Sequence, residues 1–352
     1  MSTYLRYLLL PFSLLYGLVI LIRNKLFDVG ILKSSSFDLP IICIGNLAVG
    51  GSGKTPVVEY VVRLLEGKRV AILSRGYGRA TSGFVLADRD STASSVGDEP
   101  LQYYHKFKDV TVAVCEDRIK GINLLKDEHD VILLDDAFQH RKVRAGLNIL
   151  LFEYVKFSRP QFLMPAGNLR EPFQGFRRSD LVIITKSPFQ LQKKETENIR
   201  KKFGSAPQIP VLFSYLNYQK LRSAYSNEAL APKLNREISI HLLTGIANPD
   251  PLVAYLKQQS NNVIHHEFSD HHQFSLRDIS DLVNAFNDDS SINKLIITTE
   301  KDAQRLLDAS IKELLLDLPL FYLPIRVMIN ESDRPTFDQK ILNYVSSTTR
   351  NR

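Results

Sequence analysis

One segment limits what this chain can fold into more than any other: Gly45-Asn46-Leu47-Ala48-Val49-Gly50-Gly51-Ser52-Gly53-Lys54-Thr55-Pro56. It follows the apolar, β-rich run Ile41-Ile42-Cys43-Ile44. It precedes Val57, Val58, Tyr60, Val61, Leu64 and Leu65, which recur at helical spacing. Strand, glycine-rich loop and helix in that order are the context a phosphate-binding P-loop requires. The first position of the GxxxxGK[ST] pattern is Ala48 instead of glycine, and everything else matches. Glycines at 50, 51 and 53 let backbone N–H groups crowd around phosphate oxygens without a Cβ clash. The helix N-terminus adds positive potential. The nucleotide-binding residues are therefore Ala48, Val49, Gly50, Gly51, Ser52, Gly53, Lys54 and Thr55. Lys54 can bridge the β- and γ-phosphates of ATP, and the Thr55 hydroxyl can ligate Mg²⁺. A chance Gly-Lys-Thr in an ordinary turn is the competing reading, and the flanking strand and helix weigh against it.

A second apolar run, Val131-Ile132-Leu133-Leu134, ends in Asp135-Asp136. A buried parallel strand with an acidic end can hold Mg²⁺ at the carboxyl edge of a sheet. Gln139 and His140 follow closely, and His140 either orients a neighbour or packs. Ser74-Arg75-Gly76-Tyr77-Gly78-Arg79, after the strand-like Val70-Ala71-Ile72-Leu73, suits a phosphate or sugar-phosphate ligand. Gly97-Asp98-Glu99-Pro100 reads as a fixed turn presenting a base, or as a helix cap with Pro100 in the first turn. In Asn168-Leu169-Arg170-Glu171-Pro172, Glu171 can complete a Mg²⁺ shell, and a surface ion pair is the plainer alternative. Ser269-Asp270-His271-His272 lacks a third ligand at metal spacing and fits better as a partner for a catalytic carboxylate. Thr298 or Thr299 caps a helix that starts with Glu300-Lys301-Asp302.

The N-terminus is apolar from Tyr7 to Ile22 apart from Ser13, with Pro11 and Gly17 inside the run and Arg6, Arg23 and Lys25 flanking it. A spanning helix needs ~20 apolar residues, so the run is short. No small-residue cleavage site follows it. A helix lying in the membrane interface with its basic flanks at the headgroups fits best, ahead of a buried core helix. The net charge of +7 over 352 residues favours anionic partners without choosing among nucleotide, phospholipid and nucleic acid. No basic stripe with interleaved aromatics argues for nucleic acid. Two cysteines, Cys43 and Cys115, both in strand-like runs, fit a reducing compartment.

Apolar strand-like runs at 41–45, 70–74, 110–115, 131–135, 148–152, 181–185, 211–215, 239–244, 263–268, 294–298 and 319–323 alternate with helical patterns. That predicts an α/β fold: a P-loop-type, doubly wound and largely parallel sheet domain, a second smaller α/β domain, and an N-terminal apolar helix. The expected division is a membrane-associating helix over 1–28, a P-loop domain over 29–213, and a smaller domain over 214–352 that contributes to the active site, with ATP bound between the two domains.

The segments AVGGSGKTP, SRGYGR, GDEP, DDAFQH, PAGNLREP, Thr185-Lys186, SDHHQFS and TTEKDAQR occur in this order between about Ile41 and Leu306. Together they resemble the tetraacyldisaccharide 4'-kinase family of lipid A biosynthesis. One departure is Ala137, where the family usually has glycine. The resemblance implies transfer of the ATP γ-phosphate to the 4'-hydroxyl of tetraacyldisaccharide 1-phosphate, giving lipid IV-A, at the cytoplasmic leaflet of the bacterial inner membrane. It implies Asp98 as general base paired with His271, and Lys54 and Thr55 on phosphates and Mg²⁺. Asp135, Asp136 and Glu171 would serve the metal and its network, and Arg75 with Tyr77 would lie near the sugar. Another P-loop kinase or a nucleotide-regulated membrane adaptor are the alternatives. A GTPase would want a base-reading NKxD, which Thr185-Lys186-Ser187-Pro188 echoes only in part.

Overall fold

The computed structural model describes residues 8–159, 161–204, 209–225, 232–270 and 272–350. The candidate His271, the flanking Arg6 and Tyr7, and part of the polar 217–232 stretch lie outside them. The backbone divides into two compact units. One comprises Met1–Arg89, Tyr103–Leu216 and Val327–Arg352, and the other Asp90–Gln102 and Asn217–Arg326.

The first unit is built on a nine-stranded sheet: β1 Ile41–Asn46, β2 Val70–Ser74, β3 Val85–Leu86, β4 Thr111–Val114, β5 Val131–Asp135, β6 Leu147–Glu153, β7 Leu181–Thr185, β8 Val211–Tyr218 and, much later in the chain, β14 Ile325–Ile329. Their order is β14-β8-β7-β6-β1-β5-β2-β4-β3. The ladders β8/β7, β7/β6, β6/β1, β1/β5, β5/β2 and β2/β4 are parallel, and β3 runs antiparallel to β4. Helices cover both faces of such a sheet, so its central strands are apolar without alternation. β1, β2, β5 and β7 are buried at every position. Because they are parallel, their carboxyl ends share one edge. That edge collects the P-loop after β1, Ser74-Arg75 at the end of β2, Asp135-Asp136 at the end of β5 and Thr185-Lys186 at the end of β7, the usual place for a ligand in this architecture.

The second unit carries a five-stranded sheet of β9 Arg222–Ser223, β10 Ser239–Thr244, β11 Asn262–Glu267, β12 Lys294–Thr299 and β13 Leu320–Leu323, in the order β11-β10-β12-β13-β9. All its ladders are parallel except β9/β13. Thr299, not Thr298, caps the helix Glu300–Leu306, its Oγ1 accepting from the Asp302 amide at 3.0 Å.

All eleven apolar runs became strands. The expected cut at 213/214 lies near the exit from the first unit after Leu216, but the chain crosses again in places the single cut did not allow for. Residues 327–352 return to the first unit because β14 joins its sheet beside β8, Asp333 accepts from the Phe213 amide at 2.9 Å, and Phe337 is wholly buried. Residues 90–102, which contain Gly97-Asp98-Glu99-Pro100, group with the second unit, and the division falls inside the helix Asp98–Lys106.

The N-terminal helix runs Leu10–Asp28, with Pro11 at its start where no intrahelical donor is needed. It is long and apolar enough to cross a membrane by length and composition. Its packing is the reverse of a globular amphipathic helix. Ser13 and Gly17 are the buried positions, while Phe12, Leu14, Leu15, Leu18, Val19, Leu21 and Ile22 are all more than half exposed.

Candidate functional site

Gly50 and Gly53 take the left-handed backbone the loop needs, at φ 100° and 81°, and Gly53 opens directly into the helix Lys54–Leu64. The loop is held from both sides. On one side Val49 donates its amide to the Asn168 carbonyl at 2.8 Å, and the Arg170 amide donates to Leu47 at 2.7 Å. On the other, the Thr185 hydroxyl donates to the Ser52 carbonyl at 2.7 Å and the Lys186 ammonium to the Gly51 carbonyl at 2.6 Å. Lys186 sits at φ 54°, one of two left-handed residues other than glycine among those described. Glu153 lies 3.4 Å from its Nζ, and Lys156 bridges the same carboxylate at 2.7 Å. Burial pushes the Lys186 ammonium below its ordinary pKa, although Glu153 opposes that shift.

Asp136 is the other left-handed residue, at φ 50°, a conformation aspartate tolerates better than most. It ends β5, and its carboxylate meets two cations: Lys54 Nζ at 3.6 Å and Arg170 Nη1 at 3.1 Å from both oxygens. Burial alone would raise its pKa, but Lys54 and Arg170 outweigh burial and hold it below the usual carboxylate range. Lys54 also donates to Asn46 Oδ1 at 3.4 Å. Asp135 is buried deeper, accepting from the Ser74 hydroxyl at 3.1 Å and the Tyr103 hydroxyl at 3.3 Å. Arg118, absent from the sequence reading, is buried behind it, donating to the carbonyls of Cys115 and Asp135. Burial pushes the neighbouring His140 toward its neutral form, with the Arg118 charge adding to the effect. Ala137 does not adopt a positive φ; the left-handed residue is its neighbour Asp136, so alanine fits.

Glu171, a metal candidate in the sequence, sits in a buried cage, 2% exposed. Its oxygens accept from Gln139 Nε2 at 2.9 Å, Asn24 Nδ2 at 3.3 Å and the Arg178 guanidinium. Gln139 also donates to the Asn46 carbonyl at 2.9 Å, tying the cage to the P-loop strand.

Arg75 and Tyr77 are exposed, Tyr77 by 79%. Arg79 is structural: it pairs with Glu116 and donates to the Gly83 carbonyl at 2.6 Å, closing its own loop. Asp98 is the first residue of its helix, with Gly97 before it at φ 94°. Asp98 pairs with Arg305, which also bonds Asp302 at 2.9 Å. Asp302 accepts in turn from the Gly245 amide at 3.0 Å and the Thr299 hydroxyl at 2.7 Å. The TTEKDAQR segment thus does more than start a helix. It carries the guanidinium that holds Asp98, a partner 207 positions away that no local pattern announces. His272, the described half of the histidine pair, bonds Asp278 at 3.0 Å and stacks on Phe268.

Known proteins resemble this chain along nearly its whole length. The chain matches the family described as tetraacyldisaccharide-1-P 4'-kinase over residues 5–346. A protein of Bacteroides fragilis named tetraacyldisaccharide 4'-kinase is 46% identical, the match covering 97% of this chain and 94% of that protein. One of the same name from Flavobacterium johnsoniae is 45% identical, over 97% of both. Among solved structures, LpxK of Aquifex aeolicus in complex with ATP is 30% identical and superposes with a TM-score of 0.73, covering 97% of this chain and 99% of that one.

Proposed function

The chain belongs to the tetraacyldisaccharide-1-P 4'-kinase family, and from that premise we propose how its own residues carry out the reaction. It is an ATP-dependent kinase of lipid A biosynthesis. Its acceptor is the 4'-hydroxyl of a tetraacyldisaccharide 1-phosphate, and its product is lipid IV-A. The observation that carries the assignment of roles is the meeting of Lys54, Asp136 and Arg170 at the mouth of the P-loop.

Phosphoryl transfer asks mainly for positioning and for neutralisation of charge on the transferred group. The backbone of Ala48 to Thr55 cradles the phosphates, with Lys54 as the mobile cation. Lys54 lies 3.6 Å from Asp136, within reach of the β- and γ-phosphates of a nucleotide held by the loop. Mg²⁺ commonly uses one or two carboxylates and fills its shell with phosphate and water. Thr55, Asp136 and Asp135 fit that demand, Asp136 with its side chain 29% exposed and Asp135 behind it, braced by Ser74 and Tyr103. The ion, when bound, neutralises charge developing on the phosphate oxygens. Arg170 supplies a further cation next to the same carboxylate. We assign Glu171 to the network that holds Arg170 and Gln139, since its oxygens already face Gln139, Asn24 and Arg178.

A sugar hydroxyl is a weak nucleophile, so a carboxylate that takes its proton in the transition state accelerates attack. Asp98 is assigned that role, with Arg305 fixing its position and His271 as its orienting partner. Arg75 and Tyr77 are assigned to the glucosamine phosphate. The outward apolar face of Leu10–Asp28 is assigned to the acyl region of the cytoplasmic leaflet, placing the kinase where its lipid substrate lies.

Metal titration of turnover tests the set. Asp136→Asn should raise the Mg²⁺ concentration for half-maximal rate and lower kcat by about a hundredfold or more, in the range of removing one charge-stabilising group. Glu171→Gln should lower kcat and leave the Mg²⁺ midpoint in place. A shifted midpoint in Glu171→Gln with none in Asp136→Asn would reverse the assignment.

A further inference from the structure

We infer that the N-terminal helix is part of the phosphoryl-transfer machinery: Tyr16 and Asn24 are positioning residues that hold Arg170 and Glu171 where Asp136 and Lys54 need them. This rests on the reading above, in which Arg170 and Asp136 face the nucleotide phosphates.

A membrane anchor needs only its outward apolar face. The inward stripe of this helix is polar and small, and the bonds of Ser13, Tyr16 and Asn24 converge on residues 163–171. The Ser13 hydroxyl accepts from the Ala166 amide and donates to the Leu163 carbonyl, both at 2.9 Å. Gly17 packs so closely that an added Cβ would stand 2.6 Å from a Leu163 methyl. One turn on, the Tyr16 hydroxyl donates to the Arg170 carbonyl at 2.7 Å. Arg23 donates to the Gln139 carbonyl, and Asn24 Nδ2 donates to Glu171 at 3.3 Å. Residues 13, 16, 17 and 24 follow i, i+3, i+4, i+11 spacing and lie on one face.

What these bonds hold is the residue that faces the site. Arg170 is fixed at its carbonyl by Tyr16 and at its amide by Leu47 of the P-loop, leaving its guanidinium aimed at Asp136. Glu171 takes Asn24 on one oxygen and Gln139 on the other, and Gln139 reaches the Asn46 carbonyl. From helix to P-loop the chain of contacts is therefore two side chains long. The far side of the helix offers leucines, isoleucine and valine to the surroundings. A helix displaced from its seat releases the Arg170 carbonyl and one Glu171 partner together. A loosely held cation loses the preorganisation that makes electrostatic catalysis effective.

The test separates positioning from anchoring. Tyr16→Phe and Asn24→Ala are compared with wild type for kcat, lipid KM and partition onto vesicles of phosphatidylethanolamine and phosphatidylglycerol, with Tm as a fold check. Tyr16→Phe removes one hydrogen bond to a neutral carbonyl, worth about 1 kcal/mol, and predicts a kcat lower by roughly threefold to tenfold; Asn24→Ala removes a bond to the Glu171 carboxylate and predicts a fall at least as large. Vesicle partition and lipid KM should stay at wild-type values. Leu14→Ser and Leu18→Ser should show the opposite split, weaker partition and a higher lipid KM. Tyr16→Phe keeps the ring, so it remains informative if Asn24→Ala proves unstable. If Arg170→Lys lowers kcat while Tyr16→Phe and Asn24→Ala match wild type, the helix is an anchor only and the inference is wrong. If Arg170→Lys itself turns over normally, the assignment of Arg170 to the site fails first and takes this inference with it.

Discussion

Lys186→Met is the substitution that most sharply separates a shaped P-loop from a merely flexible one. The wild-type ammonium donates to the Gly51 carbonyl at 2.6 Å and lies 3.4 Å from Glu153. Methionine keeps an apolar stem at the same left-handed position and removes the cation. Glu153, buried, retains Lys156 at 2.7 Å, so no buried carboxylate is stranded. The loss is therefore close to one charge-assisted hydrogen bond, about 1.5–3 kcal/mol. If all of it served to hold the loop ready for phosphate, the Kd for ATP would rise by roughly 10- to 150-fold, at tenfold per 1.4 kcal/mol. Partial compensation by Thr185, which still holds the Ser52 carbonyl, places the expected value toward the lower end. Isothermal titration calorimetry with ATP and Mg²⁺ reads it directly. A Kd within twofold of wild type, in a protein of unchanged Tm, would show that the carbonyl contact does not shape the loop.

Asp98→Asn should cost turnover by about a hundredfold or more, in line with loss of a general base, and leave the Kd for ATP within twofold; normal turnover would remove Asp98 from that role. Phe203→Ala should destabilise the first unit by about 3–5 kcal/mol, seen as a lower urea midpoint. Phe203 packs within 5.1–5.5 Å of Phe152, Phe157, Phe173 and Phe176, and a small shift would mean that cluster collapses without cost. Stability should fall with acid in two stages. Burial holds His140, His265 and His266 below the ordinary histidine pKa, so the unfolded chain binds those protons first below about pH 6.5. Asp136 is held low by Lys54 and Arg170 against its burial, and Asp289 by hydrogen bonds from Ser239 and Ser291; both add a loss that sets in below about pH 4. A Tm that rises from pH 7 to pH 5.5 would contradict the sign for the histidines.

The central strands were legible because parallel strands buried on both faces must be continuously apolar, and the edge strand β11, nowhere fully buried, formed from the strand-like run at 263–268 as well. β3 and β9 are two residues long and leave no pattern. β14, Ile-Arg-Val-Met-Ile, reads as strand-like, but nothing local says that it returns to the first sheet beside β8. The P-loop and Asp135-Asp136 were legible because their chemistry is local in sequence. The network around them was not. Arg170 to Asp136, Asn24 to Glu171 and Arg305 to Asp98 join residues 34, 147 and 207 positions apart. Thr185-Lys186 was read as one segment of the family resemblance and as a partial echo of a base-reading motif, and neither reading placed its lysine on the Gly51 carbonyl. The polar inward stripe of the N-terminal helix was hidden by composition, since a run so apolar says nothing about which face docks.

Transfer of label from γ-³²P ATP to purified tetraacyldisaccharide 1-phosphate in mixed micelles, with the position of the new phosphate ester assigned by NMR, tests the central claim most directly. The account predicts a labelled lipid bearing phosphate on the 4'-oxygen with wild type, and none with Lys54→Ala. ATP bound or hydrolysed without any labelled lipid, or label at another hydroxyl, would contradict it.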